Sequence, residues 1–165
     1  MIELSVIRDL VAIFGVIAGF SYYVLTVRNT RKAHELQVFM TILDGLNSED
    51  KQRSWAELLN SDFNDYEDFL RKYDSAVNPE HYGKRASVWS YYNSIGYLLM
   101  KGRISIDTVY DLLGLPAVLQ WNKWGEIILE IREKQELPQY FKGFEYLVGE
   151  LKRYQEQYSE SVGNR

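Results

Sequence analysis

The sequence predicts an all-α protein, with one N-terminal transmembrane helix followed by an irregular soluble bundle of about seven helices. Three observations lead to this prediction. A run of 18 uncharged, mostly apolar residues lies near the N-terminus. After it, apolar residues recur at three- and four-residue spacing, as on one face of a helix. No segment shows the sustained alternation of apolar and polar residues that indicates a strand.

The apolar run, Leu10–Val27, has the length of a membrane span. At 1.5 Å per residue it extends about 27 Å, close to the roughly 30 Å of a bilayer's hydrocarbon core. Asp9 and Arg28 bound it, and Tyr22 and Tyr23 lie towards its second end, where aromatic side chains meet the interface. A cleaved signal peptide would begin with basic residues and end at a small-residue cleavage site. A buried or interfacial helix would carry a polar face.

Basic residues beside the span predict its orientation. Arg28, Arg31 and Lys32 follow it closely, whereas Arg8 alone precedes it. Because Lys and Arg concentrate on the cytoplasmic side of a membrane segment, we expect a single-pass protein of the cell membrane. Its C-terminal domain would lie in the cytoplasm and its short N-terminus outside.

Two glycines in the span have the spacing of a helix-packing motif. Gly15 and Gly19 form a G-x-x-x-G pattern, in which small residues one turn apart let two helix backbones approach closely. The pattern predicts that the membrane helix contacts a protein partner or a second copy of the chain, in addition to the lipid bilayer. The alternative is that these glycines reflect only the high frequency of Gly in membrane spans.

We divide the chain into an N-terminal segment at residues 1–27, a soluble helical domain at 28–154 and a polar tail at 155–165. The first soluble helix is expected to continue from the span. Its apolar stripe consists of Leu36, Phe39, Leu43 and Leu46.

Gly, Pro and polar residues mark the predicted helix boundaries. Ser48 offers an N-cap, and Val77–Gly83 is predicted to form the main internal loop. Gly114 is predicted to stop a short helix, and Pro116 to lie in the first turn of the next one. Leu137–Pro138 is predicted to end that helix, and a last helix follows.

Composition excludes several classes of function. The chain has no Cys, which excludes disulfides, thiolate metal sites and thiol catalysis. The net charge of −4 comes from a mixed surface, and this argues against general binding of nucleic acid, which needs a concentrated basic face.

Residue patterns give no catalytic, cofactor or metal site. His34 and His81 lie far apart and have no H-x-x-x-H or H-E-x-x-H partner. His81 follows Glu80 and could act as a general base, but histidines in loops are mostly solvated. The acidic residues Asp62, Asp65, Glu67 and Asp68 lack the spacing of a calcium loop and are interpreted as a helix start. Phosphate-binding glycine loops and nucleophile elbows are also missing from the sequence.

Aromatic residues in the second half of the chain are interpreted as core. Their helical spacing predicts that Trp89, Tyr92, Trp121 and Trp124 face inward. Because Trp also favours protein interfaces, Trp121 and Trp124 are the candidate residues for a partner surface. Asn93, between core positions, is interpreted as a buried polar residue that caps or bridges helices.

A loose motif in this region resembles a family of uncharacterised prokaryotic proteins. The motif consists of Trp89, Tyr92, Asn93, Gly96, Leu98, Leu99, Gly102, Ile104, Val109, Tyr110, Trp121, Trp124 and Arg132. The resemblance covers about residues 28–155. It implies an N-terminal span and a helical domain of unknown function, and it carries no catalytic residues.

The sequence therefore predicts a membrane-tethered cytoplasmic interaction module, either an adaptor or an accessory subunit of a membrane assembly, with no evident catalytic activity. Two alternatives stay open. One is a regulatory or sensory membrane protein that binds a small ligand within its helical bundle. The other is a membrane-bound hydrolase that uses scattered carboxylates and His81.

Overall fold

The computed structural model describes the backbone of residues 4–163. It describes side chains for residues 11–159, except those at 31, 32, 35, 36, 39, 42, 43, 46 and 47. Within these residues the chain forms helices and no strand. The six helices are α1 (Leu4–Asn47), α2 (Glu49–Leu59), α3 (Tyr66–Tyr73), α4 (Pro79–Met100), α5 (Ile106–Lys134) and α6 (Lys142–Gly163).

The number of helices is lower than predicted because the boundary expected within α5 is absent. The helix α1 joins the apolar run to the first soluble helix without a break, and α5 continues through Gly114 and Pro116. A proline inside a helix removes one backbone hydrogen bond and costs about 3 kcal/mol. Burial of Leu113 and Ala117 on both sides of Pro116 offsets this cost, because packing overrides local propensity.

Val77 and Asn78 lie outside the helices as predicted, but the rest of the predicted main loop, residues 79–83, is the start of α4. Pro79 occupies the first turn, where its missing N–H is not needed. Asn78 caps the helix, since its side-chain oxygen accepts a hydrogen bond of 3.0 Å from the backbone N–H of His81. Ser48 does precede α2 as predicted, although its side chain forms no capping hydrogen bond.

The chain divides into two compact units, Met1–Met40 and Thr41–Arg165. In the first unit the stretch Val11–Thr30 has a mean hydropathy of 1.6, and none of it is buried. Its ten large apolar and aromatic side chains between Val11 and Leu25 are 45–74% exposed. One helix of the described chain is therefore long and apolar enough to cross a membrane. The predicted stripe Leu36, Phe39, Leu43 and Leu46 lies outside the described side chains.

The core of the second unit lies where α4 and α5 pack on α6, with α2 against α4 and α5. Its largest fully buried side chains are Trp89, Trp124, Phe69, Phe144, Leu58, Leu113, Ile128, Leu147 and Leu151. The helix α6 continues through the predicted polar tail as far as Gly163.

Two glycines bring the backbones of α4 and α6 into direct contact. A methyl group on Gly96 would overlap the carbonyl group of Gly143, and a methyl group on Gly143 would overlap the carbonyl oxygen of Asn93. Asn93 also bridges the two helices, because its Oδ1 accepts a hydrogen bond of 3.3 Å from the N–H of Phe144. Beside this contact the rings of Tyr92 and Phe144 stack with their centroids 5.0 Å apart.

The turn between α5 and α6 contains two non-glycine residues in the left-handed region, Glu136 (φ 55°) and Phe141 (φ 50°). Each costs about 1–2 kcal/mol relative to a helical or extended backbone. Arg132 holds the turn in place. Its Nε donates to the carbonyl oxygen of Tyr140 at 2.6 Å, and its Nη1 donates to Glu145 at 2.7 Å.

We predict opposite effects for two alanine substitutions in α4. Gly96→Ala lowers the free energy of unfolding by about 2–3 kcal/mol, because the new methyl group forces α4 away from α6. Gly83→Ala raises it by about 0.5–1 kcal/mol, because the methyl group points into open space and alanine favours a helix. Thermal and urea unfolding of the full chain in detergent measures both. Equal effects of the two substitutions would contradict this account of the helix contact.

Candidate functional site

The two glycines predicted for helix packing lie on an open surface. Gly15 and Gly19 are exposed, and a methyl group at either position would meet no atom within 4 Å. The face is therefore free for a neighbouring helix, and contact with a partner or a second copy stays a prediction.

The structure places the two candidate interface tryptophans differently. Trp124 is fully buried and stacks on Phe63 with ring centroids 4.9 Å apart, so it belongs to the core and not to a partner surface. Trp121 is half-buried. Its ring and that of Phe144 form an edge-to-face pair with centroids 5.1 Å apart. The helical spacing of apolar residues correctly predicted that Trp124 faces the core. The general preference of Trp for protein interfaces suggested the opposite.

The acidic residues around the beginning of α3 act as a helix start, as predicted, with Glu67 and Asp68 in its first turn. The Asp65 side chain caps α3 by accepting a hydrogen bond of 2.8 Å from the N–H of Asp68. Asp68 is itself buried and pairs with Lys72 at 2.8 Å and Arg71 at 2.6 Å. Hydrogen bonds from these two cations and from the N–H of Asn64 lower the Asp68 pKa to about 2. Among the described residues, no group of three His, Asp or Glu side chains could hold a metal ion.

His81 lies in the core and not in a solvated loop as the sequence predicted. It is 5% exposed, and its ring stacks on Tyr73 with centroids 4.1 Å apart. Its Nε2 lies 2.9 Å from Ser61 Oγ. The signal that could have placed it is the Asn-Pro pair at 78–79, which begins a helix and leaves His81 on its first turn.

Ser61 and His81 form a structural contact. The Ser61 hydroxyl lies 3.1 Å from the carbonyl oxygen of Glu57, at the C-terminus of α2, where carbonyl groups lack helical partners. If its single proton goes to that carbonyl, the hydrogen-bond network assigns the His81 proton to Nε2. His81 Nδ1 is then a buried acceptor, and it has no partner within the described residues. A serine whose proton is directed to a carbonyl is not activated as a nucleophile.

Arg85, one turn further along α4, is also buried and has aromatic neighbours. Its guanidinium lies 4.6 Å from the Phe69 ring and 5.2 Å from the Trp89 ring, and its Nη1 donates to the Tyr73 carbonyl at 3.1 Å. In the described part of the chain it forms no ion pair with a carboxylate. Burial, together with the positive charge of Arg85, lowers the His81 pKa to about 4.

A second feature is a cavity of about 70 Å³ between the end of α1 and helices α2, α4 and α5. We call it the aromatic cavity. It is lined by Gly45, Lys51, Gln52, Trp55, Val88, Tyr91, Tyr92 and Pro116. These residues are up to 71 positions apart in sequence, so no local motif marked the cavity.

The aromatic cavity combines flat apolar walls with hydrogen-bond donors. Lys51 Nζ lies 4.7 Å from the centroid of the Tyr91 ring. Burial raises the Tyr91 pKa to about 12 and raises the Tyr92 pKa as well, which adds to the ordinary tendency of a phenol to stay protonated at neutral pH. The Tyr91 ring packs on the end of α1, because a methyl group on Gly45 would lie 2.6 Å from its Cε2.

The lowered His81 pKa predicts that the protein loses stability between about pH 6.5 and pH 4. In this range the unfolded chain binds a proton at this histidine and the folded chain does not. The free energy of unfolding therefore decreases as the pH is lowered, by about 2–3 kcal/mol in total. His81→Gln removes most of this pH dependence, and His34→Gln, at an exposed site, keeps it. Urea unfolding at pH 7.5 and pH 4.5 gives the slopes. An unchanged slope in His81→Gln would contradict the assignment.

Comparison with known proteins identifies the domain. The curated proteins give no match, and the solved structures give none either. A family model described as a domain of unknown function (DUF4760) matches residues 9–151, most of the chain and nearly the whole of the region for which the sequence motif indicated a resemblance. The predicted membership of an uncharacterised family is thereby confirmed, and the chain belongs to the DUF4760 family.

Proposed function

We propose that this protein is a membrane-tethered interaction module, an adaptor or accessory subunit whose helical domain meets a partner at the inner face of the cell membrane. The observation that carries the proposal is that no residue of Val11–Thr30, a stretch of 20 residues in α1 with a mean hydropathy of 1.6, is buried. The core helix of a soluble domain would bury its apolar side chains, and this helix buries none of its own within the described residues.

Exposure of the large apolar side chains of that helix to water is energetically unfavourable. Phe14, Val16 and Phe20, for example, are 68%, 73% and 69% exposed. Removing such a side chain from water stabilises by about 1.5–3 kcal/mol, and ten of them lie between Val11 and Leu25. A bilayer would cover every side of the helix at once. A cleaved signal sequence also has this composition. Determining the N-terminal residue of the mature protein distinguishes a cleaved signal sequence from a membrane anchor.

The flanking charges support the orientation. Arg28, Arg31 and Lys32 follow the apolar helix and Arg8 precedes it, which favours a cytoplasmic domain by the positive-inside tendency. A partner or a second copy would reach the membrane helix through the open Gly15–Gly19 face, where small residues permit close packing. The packing of Trp124, His81 and Arg85 within the domain is consistent with a role as a stable scaffold.

Membrane fractionation and cysteine labelling test the placement. We predict that alkaline carbonate leaves the intact chain, with its initial residues, in the membrane pellet. Because the chain has no Cys, labelling of a single introduced cysteine reports on which side of the membrane that position lies. A membrane-impermeant maleimide labels Ser5→Cys on intact cells, whereas it labels Ser159→Cys only after lysis. Release by carbonate, or cleavage after the apolar helix, would contradict the tether, and the reverse labelling pattern would contradict the orientation.

Affinity purification in mild detergent tests the partner. We expect the full chain to recover a membrane protein or a second copy reproducibly. If the predicted helix face makes the contact, Gly15→Leu with Gly19→Leu reduces recovery several-fold while the protein stays in the membrane. Gly83→Ala, on the exposed face of α4, serves as the control. Repeated recovery of the chain alone as a monomer would count against the proposal.

A further inference from the structure

The aromatic cavity has the residue types of a small-molecule binding site, and it has no role in the proposed membrane tether. We propose that it binds a small organic carboxylate with a planar apolar body, with Lys51 pairing the carboxylate and the aromatic walls contacting the body. The inference rests on the fold of residues 41–165 and not on the membrane helix, and it goes beyond the proposed tether.

The charge on Lys51 is available to a ligand. Its ammonium group lies over the Tyr91 ring at 4.7 Å, and in the described part of the chain it forms no ion pair. Lys84 shows the contrast, because it pairs with Glu57 and Glu80, both at 2.7 Å. An ammonium group at the rim of an apolar cavity attracts an anion, and its interaction is stronger there than in open water.

The walls determine what kind of anion fits. Trp55, Tyr91 and Tyr92 supply aromatic surfaces, and Val88 and Pro116 supply aliphatic ones. Flat apolar groups pack well against such rings. The phenol groups of Tyr91 and Tyr92 are protonated at neutral pH and add polar atoms to these walls. Donors from several elements, combined with apolar walls, are typical of a small-molecule site.

The size of the cavity limits the ligand. Its 70 Å³ is about half of the roughly 150 Å³ of an apolar protein cavity that holds one benzene molecule. The cavity therefore encloses only part of a ring-bearing acid, and the rest of the ligand would lie in its open mouth. A cation in the same place would be repelled by Lys51, and a neutral compound would leave that charge without a partner.

The location indicates what the ligand could control. Gly45 belongs to α1, the helix that also contains the apolar stretch, and it contacts the Tyr91 ring. A ligand between Gly45, Trp55 and Tyr91 would therefore stabilise the packing of the end of α1 on α2 and α4, by an amount that grows with its concentration. This is the small-ligand regulation that the sequence left open as an alternative.

Titration of the full chain in nanodiscs with benzoate tests the inference. Tryptophan fluorescence reports binding, since Trp55 lines the cavity. The matched probe is benzyl alcohol, which has the same ring and no charge. We expect saturable binding of benzoate, at least fivefold tighter than that of benzyl alcohol. Absence of saturable binding, or equal affinity for the two probes, would overturn the proposal.

Substitution of two comparable lysines locates the site. Lys51→Gln is expected to weaken benzoate binding at least fivefold, and Lys51→Arg, which keeps the charge, to retain most of it. Lys123 is the matched control, because its ammonium lies 4.7 Å from the Phe63 ring and it does not line the cavity. Lys123→Gln should change affinity less than twofold. An equal loss in Lys51→Gln and Lys123→Gln would overturn the assignment.

Failure of this proposal is distinguishable from failure of the tether. Carbonate extraction and cysteine labelling report the membrane helix and do not depend on the cavity. A chain that stays in the membrane and ignores benzoate refutes the ligand site alone. A chain that binds benzoate and is released by carbonate refutes the tether alone.

Discussion

The structure of the helical domain depends on the contact between Gly96 of α4 and Gly143 of α6. There the two backbones meet with no side chain between them, which fixes the distance between the helices. Asn93 can reach the N–H of Phe144 only at this separation, and Tyr92 can then stack on the Phe144 ring. Helices α2 and α5 pack against this pair, and Tyr92 belongs to α4, so the glycine contact also sets the position of the Tyr92 wall of the aromatic cavity.

The chain reaches this contact through a turn that is locally unfavourable. Glu136 and Phe141 have left-handed backbones, which their side chains disfavour. Arg132 compensates by binding the Tyr140 carbonyl and Glu145 at once, because a guanidinium offers several donors in a fixed geometry. The strain is therefore local, while the contacts that offset it come from two helices.

Burial has different consequences for the two buried polar residues of α4, His81 and Arg85. His81 becomes neutral because desolvation and the charge of Arg85 both disfavour its protonated form. Arg85 stays charged and has aromatic rings and a backbone carbonyl as neighbours in place of a carboxylate. A guanidinium is more weakly hydrated than an ammonium and stacks on rings, which explains why arginine can occupy this position.

The sequence by itself determined the features that depend on composition along the chain. These are the helical class, the apolar helix near the N-terminus, the acidic start of α3 and the family. Tertiary structure decided the rest. It carried α5 through Gly114 and Pro116, buried His81 and Trp124, and assembled the cavity from residues between Gly45 and Pro116. The reason is that local propensities differ by about 1 kcal/mol per residue for most amino acids, whereas burying a large side chain contributes about 1.5–3 kcal/mol and depends on neighbours that are distant in sequence.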